Sequence, residues 1–256
     1  MNYKYCLLAA GVGSRNSLSL NSHKGLLPIN NRTVISCLLD CLDVSVPMVI
    51  AIGHNGHLLK EYFSIVHPQW NVTFVHIDKY TGPGSGPGYS LLACKKWLQC
   101  PFVLLNCDSY IQKLVPTPNV NWMGCGNVNE YEPYCLLGVA NGQVNHIFDK
   151  CTLSHIKNTS YVPESLLKHA FTGIAGINHH QLFWEALERE SLEIAGEKQV
   201  SSGFMSLILK GMETRDLNPW FDIGTDKSYQ NVLDRFGKDQ VLIKPEEFIY
   251  FEKNKV

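Results

Sequence analysis

Leu7-Leu8-Ala9-Ala10-Gly11-Val12-Gly13-Ser14-Arg15, followed nine residues later by Lys24, decides how the rest of this chain is read. The apolar run Tyr5–Ala10 has the composition of a buried strand, and it empties into a glycine-rich turn. At such a junction backbone N–H groups can converge on phosphate oxygens, because glycine has no side chain to hold the phosphate away. Arg15 and Lys24 would then balance the phosphate charge. G-x-G alone is weak, since an ordinary strand–turn with a solvated arginine has the same letters. The stretch is neither the dinucleotide fingerprint, which needs a third glycine, nor a Walker loop, which needs G-K-[ST].

The segments after it alternate. Val34–Leu42 has helical spacing, Pro47–Ile52 reads as a strand and Leu58–Val66 as a helix. Val72–Ile77 reads as a strand, Ser90–Leu98 as a helix, and Phe102–Leu105 as a strand ending at Asn106-Cys107-Asp108. This order predicts an α/β fold: a mostly parallel sheet with helices on both faces. The second half is strand-rich, with Tyr134–Val139, Val144–Phe148 and Phe171–Ile177 separated by turns such as Asn141-Gly142, and with helices expected at His179–Glu190 and Ser202–Leu209. No linker separates the halves, so one mixed sheet in a single domain over residues 1–256 is expected. Val241–Glu252 reads as short β structure around Lys244-Pro245, either a closing hairpin or a connector to a further domain.

Composition narrows the function classes. With 256 residues and 45% hydrophobic content the chain can bury one sizeable core. Charged residues make up 18%, the net charge is -1, and no Lys/Arg run occurs, which argues against a nucleic-acid binder. The nine cysteines are odd in number and form no C-x-x-C pair, a pattern of free thiols in a reducing, cytoplasmic compartment. The apolar stretch at the N-terminus is too short for a signal peptide, and no run reaches membrane-spanning length.

Two aspartates form a second constellation. Asp108 follows the fourth expected strand, and Asp222 lies in Trp220-Phe221-Asp222-Ile223-Gly224-Thr225. Acidic residues at the carboxyl ends of strands lie where α/β sheets place ligands, and two carboxylates plus phosphate oxygens suit Mg²⁺. Asp108 by itself reads as a turn residue or helix cap; together with the glycine-rich loop, the metal reading is the stronger one. Lys150, after Val144–Asp149, reads by itself as a solvated side chain. His54 and His57 flank Asn55-Gly56 and read as loop residues with no metal. Asp78 and Gly82–Gly88 (GPGSGPG) fit a lid or a surface loop equally well.

These residues resemble a known family, the sugar-phosphate and alcohol-phosphate nucleotidyltransferases, whose fold is glycosyltransferase-A-like and Rossmann-like. Leu8–Arg15 is similar to their L-A-[AG]-G-x-G-[ST]-R signature. Ser22–Ile29 resembles S-K-x-L-L-P-I, with Gly25 after the lysine where proline or glutamine is usual. Leu105–Asp108 resembles N-G-D, with Cys107 for the glycine. Gly138-Val139 and Val144–Lys150 resemble G-V followed by a strand ending E-K-P, here Asp149-Lys150-Cys151. Phe171–Ile174 and Trp220–Thr225 resemble the T-G-[IL] strand and the W-x-D-x-G-T segment. The likeness runs through nearly the whole chain in order.

The resemblance implies roles. Leu8, Ala9, Ala10, Gly11, Gly13 and Ser14, with Gly82, would cradle a nucleoside triphosphate. Arg15 and Lys24 would grip its phosphates and, with Asp108, form the catalytic group. Asp108 and Asp222 would hold Mg²⁺. Lys150 would hold the phosphate of a small acceptor, with Gly138, Thr172 and Gly173 lining its pocket. Leu-Ala-Ala-Gly resembles the cytidylyltransferase branch, which favours CTP as donor and an amino-alcohol phosphate, phosphonate or sugar phosphate as acceptor, in precursor supply for surface glycan or lipid. Other members are sugar-1-phosphate uridylyl- or guanylyltransferases, and a silent nucleotide-binding regulatory domain could keep the same fold. A homo-oligomer or a fused kinase-like domain is compatible with the resemblance.

Overall fold

A computed structural model describes residues 3–19, 21–128, 134–149, 169–189, 193–194 and 196–236. Its centre is a nine-stranded sheet made of β1 (Lys4–Ala9), β2 (Met48–Ile52), β3 (Val72–His76), β4 (Phe102–Asn106), β5 (Trp122–Asn127), β6 (Leu136–Ala140), β7 (Gln143–Phe148), β8 (His169–Ile177) and β9 (Glu213–Asp216). The strand order is β3-β2-β1-β4-β8-β5-β9-β7-β6, and β8 also pairs with β6. Among the described residues the α-helices are α1 (Val34–Leu39), α2 (Gly56–Val66), α3 (Pro87–Cys94), α4 (His180–Arg189), α5 (Ser201–Ile208) and α6 (Asp226–Phe236).

Strands β3, β2, β1 and β4 are parallel, as the strand–helix alternation requires. Beyond β4 the sheet is antiparallel except where β9 runs parallel to β5, so the antiparallel share is larger than the first half of the sequence implies. The cause is local: β6 and β7 are joined at Asn141-Gly142, where both residues have positive φ (52 and 73), as a two-residue hairpin turn needs. Two sheet strands escape sequence reading. β5 carries Gly124 and Gly126, and β9 is Glu-Thr-Arg-Asp, so neither shows apolar alternation.

Alternating β1 residues feed two cores. Tyr5, Leu7 and Ala9 pack with Ile35 and Leu38 of α1 and Leu59 and Phe63 of α2. Cys6, Leu8 and Ala10 pack with Leu91 of α3, Phe183 and Trp184 of α4 and Phe204 of α5. A strand buried on both faces must be a continuous apolar run, which is why β1 is legible. Helix α1 begins where the Thr33 hydroxyl accepts the Ser36 N–H, and α3 begins at Pro87, whose missing N–H costs nothing in a first turn.

The chain lays β2 and β3 on one side of β1 and β4 on the other, so the crevice at the carboxyl ends of β1 and β4 is a topological switch point. The glycine-rich segment 82–88 borders it as a pinned loop. Gly84 N–H donates to the Gly196 carbonyl and Lys198 N–H to the Ser85 carbonyl, both at 2.6 Å, which ties the segment to the hairpin of Glu193–Ile194 and Glu197–Lys198. A side chain at Gly88 would come within 2.5 Å of the Gln199 carbonyl. Asp78 serves this region as a turn residue, accepting from Lys79 N–H and the Tyr89 hydroxyl. The segment Val241–Glu252 lies outside the described residues. Among the described residues no helix is long and apolar enough to cross a membrane, and the eight described cysteines are unbridged.

Candidate active site

The switch point opens into a cleft of about 400 Å³. Its floor is the turn after β1. Gly13 adopts φ +69, and a Cβ there would lie 2.6 Å from Ser19 Oγ, which instead donates to the Gly13 and Asn16 carbonyls. The loop is fastened from the far end of the chain. Asn16, 1% exposed, donates from Nδ2 to the Ile223 carbonyl and accepts from Leu18 N–H. Ser17 donates from N–H (2.7 Å) and hydroxyl (3.0 Å) to the Asp226 carboxylate, which opens α6 where the helix end favours a negative charge.

His23 closes the other side. One ring nitrogen, Nε2, lies 2.8 Å from the Ala9 carbonyl, and Nδ1 accepts the Gly25 N–H at 3.1 Å. A ring that accepts at Nδ1 must donate at Nε2, so His23 is the neutral Nε2–H tautomer. Burial pushes it down to about 4 despite the carbonyl partner, and Lys24 adds to the shift. His23 thus locks the end of β1 to the turn that presents Lys24.

Lys24 Nζ lies 2.7 Å from Asp108 Oδ2, with the two side chains only 17% and 16% exposed. Burial works against both charges, but each holds the other charged: the carboxylate keeps the ammonium above its ordinary value, and Lys24, with help from Arg15, keeps Asp108 below its own. Asp222 behaves differently. Burial and the neighbouring Asp108 charge push it up to about 6, only partly offset by the Gly224 N–H it accepts and by Arg15 and Lys24. The site therefore holds two neighbouring, half-buried carboxylates whose mutual repulsion Lys24 and Arg15 relieve incompletely. Such a pair suits a hard divalent cation that takes carboxylate oxygens here and fills its shell with phosphate and water. Among the described residues no group of three or more His, Cys, Asp or Glu side chains could hold a metal without such outside ligands.

Of the residues singled out from sequence, Leu8, Ala10, Gly11, Gly13, Ser14 and Arg15 line the cleft from the loop. Lys24, Gly82, Asp108, Thr172, Gly173 and Asp222 line it from other elements. Ala9 does not: its side chain is in the core and its carbonyl is taken by His23. Gly138 does not line the cleft either. It sits in β6 opposite His146, where a Cβ would be 3.0 Å from that side chain. Lys150 lies outside the described residues. Its neighbour Asp149 does line the cleft and accepts the Ser201 hydroxyl at 2.6 Å.

Sequence reading missed Asn16, His23 and Asp226, which shape the loop, and Tyr134, Phe171 and Phe204, which wall the cleft. Only His23 left a signal, its place beside Lys24. Gly173, at φ +77, admits Asn106: a Cβ there would lie 2.6 Å from the amide nitrogen. Gly126 admits the Trp220 ring in the same way, at 2.4 Å. The Thr172 hydroxyl and the Trp220 indole N–H are buried without partners among the described residues.

No protein-family model matches the chain, and no curated protein matches it in sequence. Solved structures do. A UDP-glucose pyrophosphorylase complexed with UDP-glucose superposes with a TM-score of 0.72 at 15% identity, covering 93% of this chain and 100% of that one. A protein assigned as a glucose-1-phosphate thymidylyltransferase from Bacillus anthracis gives 0.71 at 17% identity, covering 93% and 96%. A CTP:phosphocholine cytidylyltransferase from Streptococcus pneumoniae gives 0.64 at 18% identity, covering 92% and 99%. At these identities the likeness is one of fold. The chain has the fold of the sugar-phosphate and alcohol-phosphate nucleotidyltransferases.

Proposed function

We propose that this chain is a nucleotidyltransferase of a single domain, moving a nucleoside monophosphate from an NTP onto a small phosphorylated acceptor. One observation carries this: Arg15, Lys24, Asp108 and Asp222 meet in one cleft under a glycine-rich loop, at the sheet's switch point. Retention of all four argues against a silent regulatory domain. In the reaction an acceptor phosphate oxygen forms a bond to the α-phosphorus as the α–β bridging P–O bond breaks, and pyrophosphate leaves. A phosphate dianion needs no protein nucleophile, so positioning and charge neutralisation carry catalysis. The backbone of Gly11–Ser14 accommodates the triphosphate, and Lys24 exchanges its hold on Asp108 for phosphate oxygens. Arg15, on the exposed rim, offsets charge on the departing pyrophosphate. Asp108 and Asp222 would hold Mg²⁺, which supplies electrophilic stabilisation of the phosphate charge. Lys150 would hold the acceptor phosphate.

For the donor we propose CTP, on the Ala9-Ala10 pair and on the segment Gly84–Tyr89 (GSGPGY) in place of the usual sugar-enzyme loop. The alternative, a sugar-1-phosphate uridylyl- or guanylyltransferase, is supported by the architectural likeness to a UDP-glucose pyrophosphorylase. Pyrophosphate release measured with each of four NTPs and Mg²⁺, against choline phosphate, ethanolamine phosphate, a phosphonate and glucose 1-phosphate, separates these readings. Transfer from UTP or GTP to the sugar phosphate alone selects the alternative, and no release from any pair sinks transferase activity.

A further inference from the structure

Strand order gives the cleft two flanks. Strands β2 and β3 lie on one side of β1, and β4 and β8 on the other. The groups that would meet a triphosphate stand between them, on the loop after β1 and at the Lys24–Asp108 pair. Phe171 of β8 walls the far flank. Tyr80, just beyond β3, walls the near flank beside Ala10 and Gly11, and its ring is no part of the charged centre. The flanks also differ in room. On the near one, a Cβ added at Gly11 or Gly82 would meet no heavy atom within 4 Å. On the far one, a Cβ at Gly124, Gly126 or Gly173 would fall within 2.6 Å of Thr172, Trp220 or Asn106 respectively.

Contacts from three directions fix the Tyr80 ring. Gly53, directly after β2, admits it: a Cβ there would lie 2.9 Å from both Cβ and Cδ1 of Tyr80 and 2.6 Å from the Ala10 carbonyl. The ring is therefore seated on bare backbone at the carboxyl ends of β1 and β2. His54, whose N–H donates to the same Ala10 carbonyl at 3.0 Å, holds its own ring 6.3 Å away, centroid to centroid. The turn that delivers Tyr80 is braced by Asp78, which accepts the Lys79 N–H at 2.8 Å and the hydroxyl of Tyr89 on α3 at 2.7 Å. Held in this way, Tyr80 stays partly exposed on the cleft wall.

A fixed, partly open ring offers a flat apolar face, and its place is set before any ligand arrives, so binding loses little ordering entropy there. A planar heterocycle gains most from such a face, because the two π-systems stack. A donor whose phosphates lie at the charged centre must send its nucleoside to one flank. The near flank has the room, at Gly11 and Gly82, and the ring; on the far flank the corresponding space is filled by protein side chains. We propose that Tyr80 is the platform on which the nucleobase of the donor stacks. The assignment rests on the transfer function proposed above and adds to it the side chain that grips the base. Stacking supplies affinity, and the choice among bases falls to hydrogen-bonding groups at the base edge.

The test is calorimetric titration of the full chain in Mg²⁺ with the tightest-binding of four NTPs and with inorganic tripolyphosphate, which has the phosphates and no base. Wild type should bind the nucleotide more tightly than tripolyphosphate. Tyr80→Leu, which keeps apolar bulk and removes the ring, should weaken the nucleotide about tenfold and leave tripolyphosphate within about twofold. Tyr80→Phe, which keeps the ring, should match wild type. Circular dichroism and melting curves check the fold of both variants. In pyrophosphate release Tyr80→Leu should raise the KM for that NTP and leave kcat and the acceptor KM nearly unchanged, as loss of uniform binding does. Unchanged nucleotide affinity in Tyr80→Leu, an equal loss for tripolyphosphate, or an equal loss in Tyr80→Phe overturns the platform while leaving nucleotidyl transfer standing. Binding without turnover fails transfer alone, since the titrations still decide Tyr80. If wild type binds none of the four NTPs, the nucleotide reading fails and the platform with it.

Discussion

His23 makes a pH-dependent contribution to stability whose sign and size follow from its position. Folded, it is a buried neutral ring with a pKa near 4; unfolded, it returns to the ordinary 6.5. As pH falls from 6.5 to 4 the unfolded chain takes up a proton that the folded chain refuses, so folding weakens by about 1.4 kcal/mol per unit and about 3 kcal/mol in all. Asp222 works in the opposite direction. Its folded pKa near 6 exceeds the ordinary 3.8, so between those values the folded state holds the extra proton and gains stability as pH falls. Discounted for partial exposure, that gain is roughly 2 kcal/mol. Asp108, held below its ordinary value, loses its contribution only under pH 3.8 and stays outside the window. Wild type should therefore vary little between pH 6 and 4, because the two terms nearly cancel. His23→Gln keeps an N–H for the Ala9 carbonyl, loses the titration, and should gain about 3 kcal/mol relative to wild type between pH 7 and 4. Urea unfolding of both proteins in metal-free buffer, at half-unit pH steps, measures the difference. A gap between variant and wild type that stays constant across that range would falsify the picture of His23 as a buried neutral bridge.

Four further outcomes are expected. Asp108→Asn and Asp222→Asn should each abolish turnover with the fold retained, read by pyrophosphate release and circular dichroism; wild-type rates at ordinary Mg²⁺ contradict the assignment. Lys24→Ala should lower kcat on the order of a hundredfold or more, the scale of one lost charge-stabilising donor, whereas Lys150→Ala should mainly raise the KM for acceptor. Identical defects in these two variants would remove the division of labour. Gly13→Ala should cost about 1–2 kcal/mol, since alanine at φ +69 is strained and its methyl meets Ser19, and should weaken NTP binding in calorimetry. Asn16→Ala should cost about 1–2 kcal/mol by leaving the buried Ile223 carbonyl without its donor; unchanged stability would mean the loop does not depend on that tie.

The elements legible in the sequence are those whose burial is two-sided or whose turn chemistry is local. β1 reads as a strand because both faces are core, and the Asn141-Gly142 turn reads as a hairpin because its φ values demand those residues. Strands β5 and β9 do not read, because their identity lies in what they admit or pair with. Gly124 and Gly126 exist to receive Thr172 and Trp220, and the Glu213–Asp216 strand is recruited by parallel pairing with β5. The candidate site divides in the same way. Arg15, Lys24, Asp108 and Asp222 are legible only as a set, because each alone reads as an ordinary turn or surface residue. Ala9 and Gly138 belong to the matched motif but lie off the cleft wall, since a motif fixes the chain's path and the path decides which side chains reach the ligand.

The least legible part of the site is also what couples its two ends. The glycine-rich loop is bound at Asn16 and Ser17 to Ile223 and Asp226, 207 and 209 residues away, and Asp222 sits next to that anchor. No local pattern can announce such a contact, because each partner is an ordinary turn residue alone. Its physical consequence is specific. The loop that would receive the phosphates and the carboxylate that would face them are one hydrogen-bonded unit. Ile223, which accepts from Asn16 and whose N–H donates to the Asp108 carbonyl, therefore ties the loop to the backbone of both aspartates, since Asp222 is the residue before it.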